Sequence, residues 1–225
     1  MKKKFLKNIA IITARSGSKR IKNKNIKLFL GKPIIFYSIN ALKKTKIFDE
    51  IIVSTNSEEI IDICKKYGVN CFLKRNKYYS QNKVGTISVI NYCLKQLLKK
   101  KIIPKFVCCQ YPASPLTDYK NVVKAYKYLS KKNANFIFTA VNLKKKNENF
   151  KNLVRIKNIK KKRGILNNKF LDAGQFWYAK NITWKKSKSV YDKNSFLIPI
   201  KEKFSDINTM GDWKKVEKIF KSKLH

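Results

Sequence analysis

Arg15, Ser18, Lys19, Lys24 and Asn25 fall in one short stretch, "ARSGSKRIKNKN", that leaves an apolar run at residues 9–14. A guanidinium offers a flat fork of donors and an ammonium acts as a point charge, so this mixture suits phosphate oxygens. Gly17 sits between two serines, a composition that lets backbone N–H groups close on an anion. Five of the six residues 9–14 are apolar, which reads as a buried strand. Ligands of open α/β sheets sit outside the carboxyl ends of the strands, where this loop begins. Tyr111 and Ser114 follow another apolar run, 106–109, and border the same sheet end by the same rule. Neither G-x-x-x-x-G-K-[ST] nor G-x-G-x-x-G occurs, so a P-loop and a dinucleotide fingerprint are excluded. Taken alone, a basic loop in a lysine-rich chain is equally a solvated one.

Composition narrows the classes further. The chain has 225 residues with 53 Lys+Arg against 13 Asp+Glu, a formal net charge of +40. Such a balance raises a nucleic-acid surface as one reading. The lysines are spread over the whole chain beside abundant Asn and Ile, as A/T-rich coding DNA produces, so a solvated lysine face is favoured over a dedicated nucleic-acid partner. Lys22 and Arg20 are assigned to that solvated background. The field would still steer anionic substrates. The only histidine is His225, which argues against a Ser-His-Asp triad, a Cys-His pair and a histidine-rich zinc site. Five cysteines without C-x-x-C spacing point to a reduced, cytoplasmic protein. No apolar run approaches eighteen residues, and the run after "MKKKFLKN" is too short for a signal peptide, so no membrane is expected.

The elements that must position the loop alternate along the chain. Apolar runs predict strands at 9–13, 51–54, 69–73, 106–109 and 136–141, with further strands at 175–179 and 196–200. Helical spacing predicts helices at 32–43, 85–99, 119–130 and 211–223, and another capped by Thr55 with Glu58 completing a capping box. Alternation of this kind predicts an α/β fold with a mostly parallel central sheet covered on both faces. Between 142 and 170 the pattern gives way to Lys/Asn-rich sequence, read as an arm inserted into a single domain spanning 1–225.

The loop resembles the A-R-x-G-S-K-x-x-x-x-K-N signature of the cytidylyltransferases that activate nine-carbon acidic sugars, the synthetases of CMP-sialic acid and their bacterial relatives. The similarity continues in order through "GKPIIFYSI", "DEIIVSTN", "VGTISVI", "CCQYPASPL", "DAGQFWYA" and "DINTMGDW", and so covers essentially the whole chain. "CCQYP" and "DAGQF" resemble the pseudaminic acid branch more than the sialic acid branch.

The resemblance implies a Rossmann-like, three-layer nucleotide-diphospho-sugar transferase (GT-A-like) fold. It implies CTP and a nine-carbon acidic sugar as substrates, with Mg²⁺ or Mn²⁺ as cofactor. The product would be a CMP-sugar for surface glycans or flagellin. A homodimer using the 142–170 arm is implied too. Carried over position by position, Arg15, Lys19 and Lys24 would hold the triphosphate and act in catalysis, with Ser18 and Asn25 shaping the loop. Arg75 and Thr86 would contact cytosine. Asp206 and Asn208 match the family's metal-binding D-x-D pair, although Asn208 supplies only a neutral oxygen. Tyr111, Ser114, Arg163, Asp172 and Gln175 would line the sugar pocket. Asn56, Gln81 and Asn82 stand where acidic residues are usual in the family. Three alternatives stay open: another ulosonic acid (legionaminic, N-acylneuraminic or 3-deoxy-octulosonic), a nucleic-acid-binding protein, and a relative that binds without catalysing.

Overall fold

The computed structural model describes residues 3–143, 153–156, 165–166, 169–200 and 206–223. Among these residues the elements run β1 (Lys4–Thr13), β2 (Leu28–Phe29), β3 (Lys32–Pro33), α1 (Ile34–Thr45), β4 (Glu50–Thr55), α2 (Glu58–Lys66) and β5 (Asn70–Lys74). They continue with α3 (Thr86–Lys99), β6 (Ile102–Gln110), α4 (Tyr119–Lys131), β7 (Phe136–Asn142), β8 (Val154–Arg155) and β9 (Ile165–Leu166). The last four are β10 (Phe170–Lys180), α5 (Asn181–Lys186), β11 (Phe196–Ile200) and α6 (Met210–Lys221).

β1 holds the centre because it can bury both faces. Ile9 and Ile11 point into one apolar cluster with Val89, Cys93 and Leu97 of α3, while Ala10 and Ile12 point into another with Ile39 of α1, Cys64 of α2 and Val122 of α4. This is the two-residue alternation of a strand, and it puts helices on both sides of the sheet. Each fully buried isoleucine contributes roughly 1.5–3 kcal/mol to that three-layer packing.

The main sheet follows the order β5-β4-β1-β6-β10-β7-β11-β8, with β9 pairing β10. β1 runs parallel to β4 and β6, and β11 parallel to β7, whereas β10 is inserted antiparallel between β6 and β7. The fold is therefore the expected α/β architecture with a mostly parallel central sheet. The antiparallel insertion matters for the site. Phe176 pairs with Gln110, the last residue of β6, so residues 172–175 of β10 project past the carboxyl end of β6.

A third apolar cluster joins Ile21, Phe29 and Ile34 to Ala113 and Leu116, and to Ile207, Trp213 and Val216. It ties the loop after β1, the loop after β6 and the start of α6 together at one end of the sheet. Some local expectations shift. α2 is capped by Ser57, whose hydroxyl accepts from Ile60 N at 3.4 Å; Thr55 instead ends β4, paired with Lys74 of β5. The capping box occurs at α6, where Thr209 and Asp212 exchange hydrogen bonds. Lys32 and Pro33 belong to a short hairpin with β2, not to α1. Within 142–170, β8 pairs β11 and β9 pairs β10, while residues 144–152, 157–164 and 167–168 lie outside the described residues. No helix among the described residues is long and apolar enough to cross a membrane.

Candidate active site

The loop leaving β1 is held by two asparagines. Buried Asn25 donates through Nδ2 to the carbonyl of Arg15 at 2.8 Å, closing the loop across its neck. Asn56, at the end of β4, accepts from Ser16 N at 2.9 Å and donates to Ser16 Oγ at 2.8 Å. Gly17 turns between them at φ +75°, a conformation that favours glycine. Asn56 thus uses both halves of its amide, accepting from the Ser16 backbone and donating to its hydroxyl.

The cations are set by specific contacts. Arg15 donates to Gly17 O at 3.3 Å, and its other terminal nitrogen donates to Asn82 Oδ1. Lys24 donates to the carbonyl of Ile207 at 2.7 Å, which couples the loop to the segment before α6. Burial pulls the Lys24 ammonium below its usual pKa; Asp206 opposes that, while Arg20 and Arg15 add to it. Arg75 follows β5 and is 7% exposed. It donates to Tyr79 O, and its buried Nε has no partner among the described residues. Burial, first, lowers its pKa, and the neighbouring Arg15 pushes the same way.

Thr86 begins α3, and its hydroxyl lies 3.2 Å from that of Tyr111. At the other end, Asn208 Nδ2 donates to Asp206 Oδ2 at 2.7 Å, while the Asn208 backbone N–H is held by Asp212 Oδ2 at 3.0 Å. The α6 capping box thus fixes the backbone on which Asp206 and Asn208 are mounted.

These groups surround a cavity of about 510 Å³. Arg15, Ser18, Lys19, Lys24, Asn25, Arg75, Thr86, Tyr111, Asp206 and Asn208 all lie on its wall. Its charge is lopsided, with five cations (Arg15, Lys19, Arg20, Lys24, Arg75) and one carboxylate (Asp206). Arg20 corrects the sequence reading: it faces the cavity, whereas Lys22 is an exposed residue outside it. Asn82 and Gly174, also missed as site residues, line the wall as well. Asn82 carried a signal, its position beside the α3 start, but its use as an acceptor for Arg15 depends on the fold.

Three expected sugar-pocket residues stand behind the wall. Ser114 is buried and donates to Gly174 O at 2.9 Å. Gln175 is buried and spent at both ends, accepting from Thr139 at 3.0 Å and donating to Leu116 O at 3.3 Å. Asp172 accepts from Gly174 N, Trp177 Nε1 and Tyr191 Oη. Asp172 and Gln175 flank or lie in a bulge of β10, and Ser114, on the loop after β6, is turned onto that bulge's Gly174 carbonyl. Arg163 lies outside the described residues.

A divalent cation fits the donor chemistry at Asp206. One carboxylate and one carboxamide oxygen are hard ligands, and Mg²⁺ commonly combines one or two carboxylates with substrate phosphates. Room for the carboxylate is made by Gly174, since a Cβ there would meet Asp206 Cβ and Cγ at 2.9 Å. Among the described residues no cluster of three or more His, Cys, Asp or Glu forms.

Residues 9–204 match the family model for cytidylyltransferases. The chain belongs to the cytidylyltransferase family. It is 34% identical to a pseudaminic acid cytidylyltransferase of Campylobacter jejuni subsp. jejuni serotype O:23/36, covering 96% of this chain and 97% of that one. An N-acylneuraminate cytidylyltransferase of Escherichia coli O18:K1:H7 is 35% identical over a shorter stretch, 54% of this chain and 28% of that one. Among solved structures, a CMP:2-keto-3-deoxy-manno-octonic acid synthetase complexed with CTP superposes with a TM-score of 0.70 at 11% identity, covering 96% of this chain and 99% of that one, which establishes the shared fold. The wall thus combines five cations with the Asp206 carboxylate, and Lys24 meets the Asp206–Asn208 segment directly through the Ile207 carbonyl.

Proposed function

We propose that this cytidylyltransferase converts CTP and pseudaminic acid into CMP-pseudaminic acid and pyrophosphate. The anomeric hydroxyl oxygen forms a bond to the α-phosphorus, the bond from that phosphorus to the β-phosphate bridge breaks, and the hydroxyl proton leaves to solvent. Such a transfer demands in-line positioning and neutralised charge more than covalent help from the protein. Arg15, Lys19, Arg20 and Lys24 hold the triphosphate, and the choice of forked and point donors suits terminal phosphate oxygens. Arg75 and Thr86 receive the cytosine end, where Tyr111 braces Thr86. Asp206, steadied by Asn208, holds Mg²⁺ or Mn²⁺, which when bound neutralises phosphate charge.

The observation that carries the chemistry is the cavity with five cations against one carboxylate at the carboxyl ends of the strands. The sugar assignment is supported by near full-length similarity to a pseudaminic acid cytidylyltransferase. The test is pyrophosphate release from CTP with pseudaminic, legionaminic, N-acetylneuraminic and 3-deoxy-octulosonic acids. Highest kcat/KM with pseudaminic acid is expected; preference for another acid replaces the sugar, and no turnover with any of them overturns the enzyme reading. Included in this reading are a homodimer built with the 142–170 arm, checked by sedimentation of the chain with and without it, and a cytoplasmic setting, consistent with five free thiols.

A further inference from the structure

β10 keeps register with β7 through Asp172↔Ala140 and resumes it at Trp177↔Phe138, so residues 173–176 stand opposite Thr139 alone. This bulge touches the site at three places. The Gly174 carbonyl accepts from Ser114 Oγ at 2.9 Å, and the Gln175 carbonyl accepts from Tyr111 N at 2.9 Å. Gly174 itself, at φ +60°, lies against the Asp206 side chain, closer than a Cβ would allow.

What shapes the bulge is Asp172. Its Oδ1 accepts from Gly174 N at 2.8 Å, which stabilises the left-handed turn two residues on. Its Oδ2 accepts from Trp177 Nε1 at 2.9 Å and from Tyr191 Oη at 2.5 Å. Indole N–H can only donate, so the residue at 172 must present two accepting oxygens, a demand that an asparagine fails. With both oxygens committed to protein donors, Asp172 is turned away from the wall that Arg15, Thr86 and Asp206 share.

We infer that Asp172 is a positioning residue: clamped by Trp177 and Tyr191, it fixes the β10 bulge that seats Asp206 for the divalent cation, and it does not bind the sugar. The inference rests on the assignment of Asp206 to the metal. Substitution of an outer group that orients a metal ligand typically costs about 10–100-fold in metal affinity or activity.

The experiment measures Mn²⁺ binding to the full-length enzyme–CTP complex by the electron paramagnetic resonance of free Mn²⁺, alongside steady-state KM values. Asp172→Asn is expected to weaken Mn²⁺ binding about 10-fold while the sugar KM stays within about twofold. Tyr191→Phe, which removes one donor and keeps the ring, moves Mn²⁺ affinity the same way by less, and carries the test if Asp172→Asn does not fold. In the pair Asp172→Asn with Asp206→Ala, the loss of Mn²⁺ affinity is expected to be less than the sum of the two single losses, because both act through one ligand. A rise in sugar KM with unchanged Mn²⁺ affinity, or no change in either, overturns the proposal. If Asp206→Ala itself leaves Mn²⁺ affinity unchanged, the metal assignment fails first and is recognised separately.

Discussion

Replacing Gly174 with alanine strains the site in two separable ways. The first is conformational: an alanine held at φ +60° pays roughly 1–2 kcal/mol for the left-handed region. The second is steric. The new Cβ would lie 2.9 Å from Asp206 Cβ and Cγ and 3.2 Å from Oδ1. Carbon atoms prefer about 3.5–4.0 Å, so one side must retreat by roughly 0.6–1 Å. Gly174 is tied by its N–H to Asp172 and by its carbonyl to Ser114, whereas Asp206 is exposed, so the carboxylate is the side that moves. A displacement near 1 Å at a positioned group costs about 10²-fold in rate. The conformational part alone lowers the Tm of a chain this size by about 2–8 °C. Gly31→Ala is the matched control, because Gly31 has φ +80° in the β2–β3 turn and no atom within 4 Å of the missing Cβ. Pyrophosphate release and thermal unfolding of both variants are the assays. The expected result is a similar conformational loss of Tm in both, with kcat reduced about 30–100-fold only in Gly174→Ala. A kcat within twofold of the parent for Gly174→Ala would refute the reasoning, as would an equal loss of kcat in Gly31→Ala.

Three other perturbations follow from the same geometry. Because burial lowers the Lys24 pKa and a bound triphosphate raises it again, CTP binding at a pH above the free enzyme's Lys24 pKa takes up a proton; calorimetry in two buffers of different ionisation enthalpy measures this, and Lys24→Met abolishes it. With its folded pKa depressed, Lys24 leaves the unfolded chain binding more protons, so stability rises with pH between the folded value and the ordinary 10.5. Asn208→Asp sets a second carboxylate beside Asp206 in place of the 2.7 Å amide donor, so Tm should fall without metal while the Mg²⁺ concentration for half-maximal turnover drops; an unchanged Mg²⁺ titration means that Asn208 does not serve the metal. Arg20→Ala should raise the CTP KM by about 10-fold, the loss of one charge-assisted hydrogen bond, while Lys22→Ala leaves it within about twofold; equal effects would return Arg20 to the solvated background.

The parts legible in the sequence were those whose signal is local. The strand-then-cations order of residues 9–25 places its own loop at a carboxyl end, because β1 is apolar on both faces and must be central. Helical spacing in α3 and α4 likewise needs no knowledge of partners. What escaped depends on contacts far along the chain. Tyr191 is nineteen residues from Asp172, and Thr139 is thirty-six from Gln175, so no spacing rule could show that these polar side chains are spent inside the protein. The α2 cap moved from Thr55 to Ser57 because pairing with Lys74 extends β4 to Thr55. α5 has only six residues, too few for a helical period, and is held by Trp184 packing on Phe136 at 4.9 Å.

The same distinction bears on the +40 net charge. Lysines such as Lys65 and Lys74 pair with Asp62 and Glu58 while their side chains remain 68% and 71% exposed. Pairs of that kind contribute at most about 1 kcal/mol, and salt screens them beyond about 8 Å at physiological ionic strength. Lys24 and Arg75 differ in what surrounds them. One ammonium is partly buried on the Ile207 carbonyl, and one guanidinium is enclosed with its Nε unpartnered among the described residues. Both lie where the effective dielectric is low, so an anion that reaches them gains more than it would from any exposed lysine. The protein also bears the cost of keeping these charges out of water, which is why burial lowers both pKa values. On the proposed reading, a bound triphosphate offsets that cost at Lys24 and the cytosine end of CTP offsets it at Arg75. On that reading the exposed lysines act on the rate of encounter, and the enclosed cations hold the nucleotide.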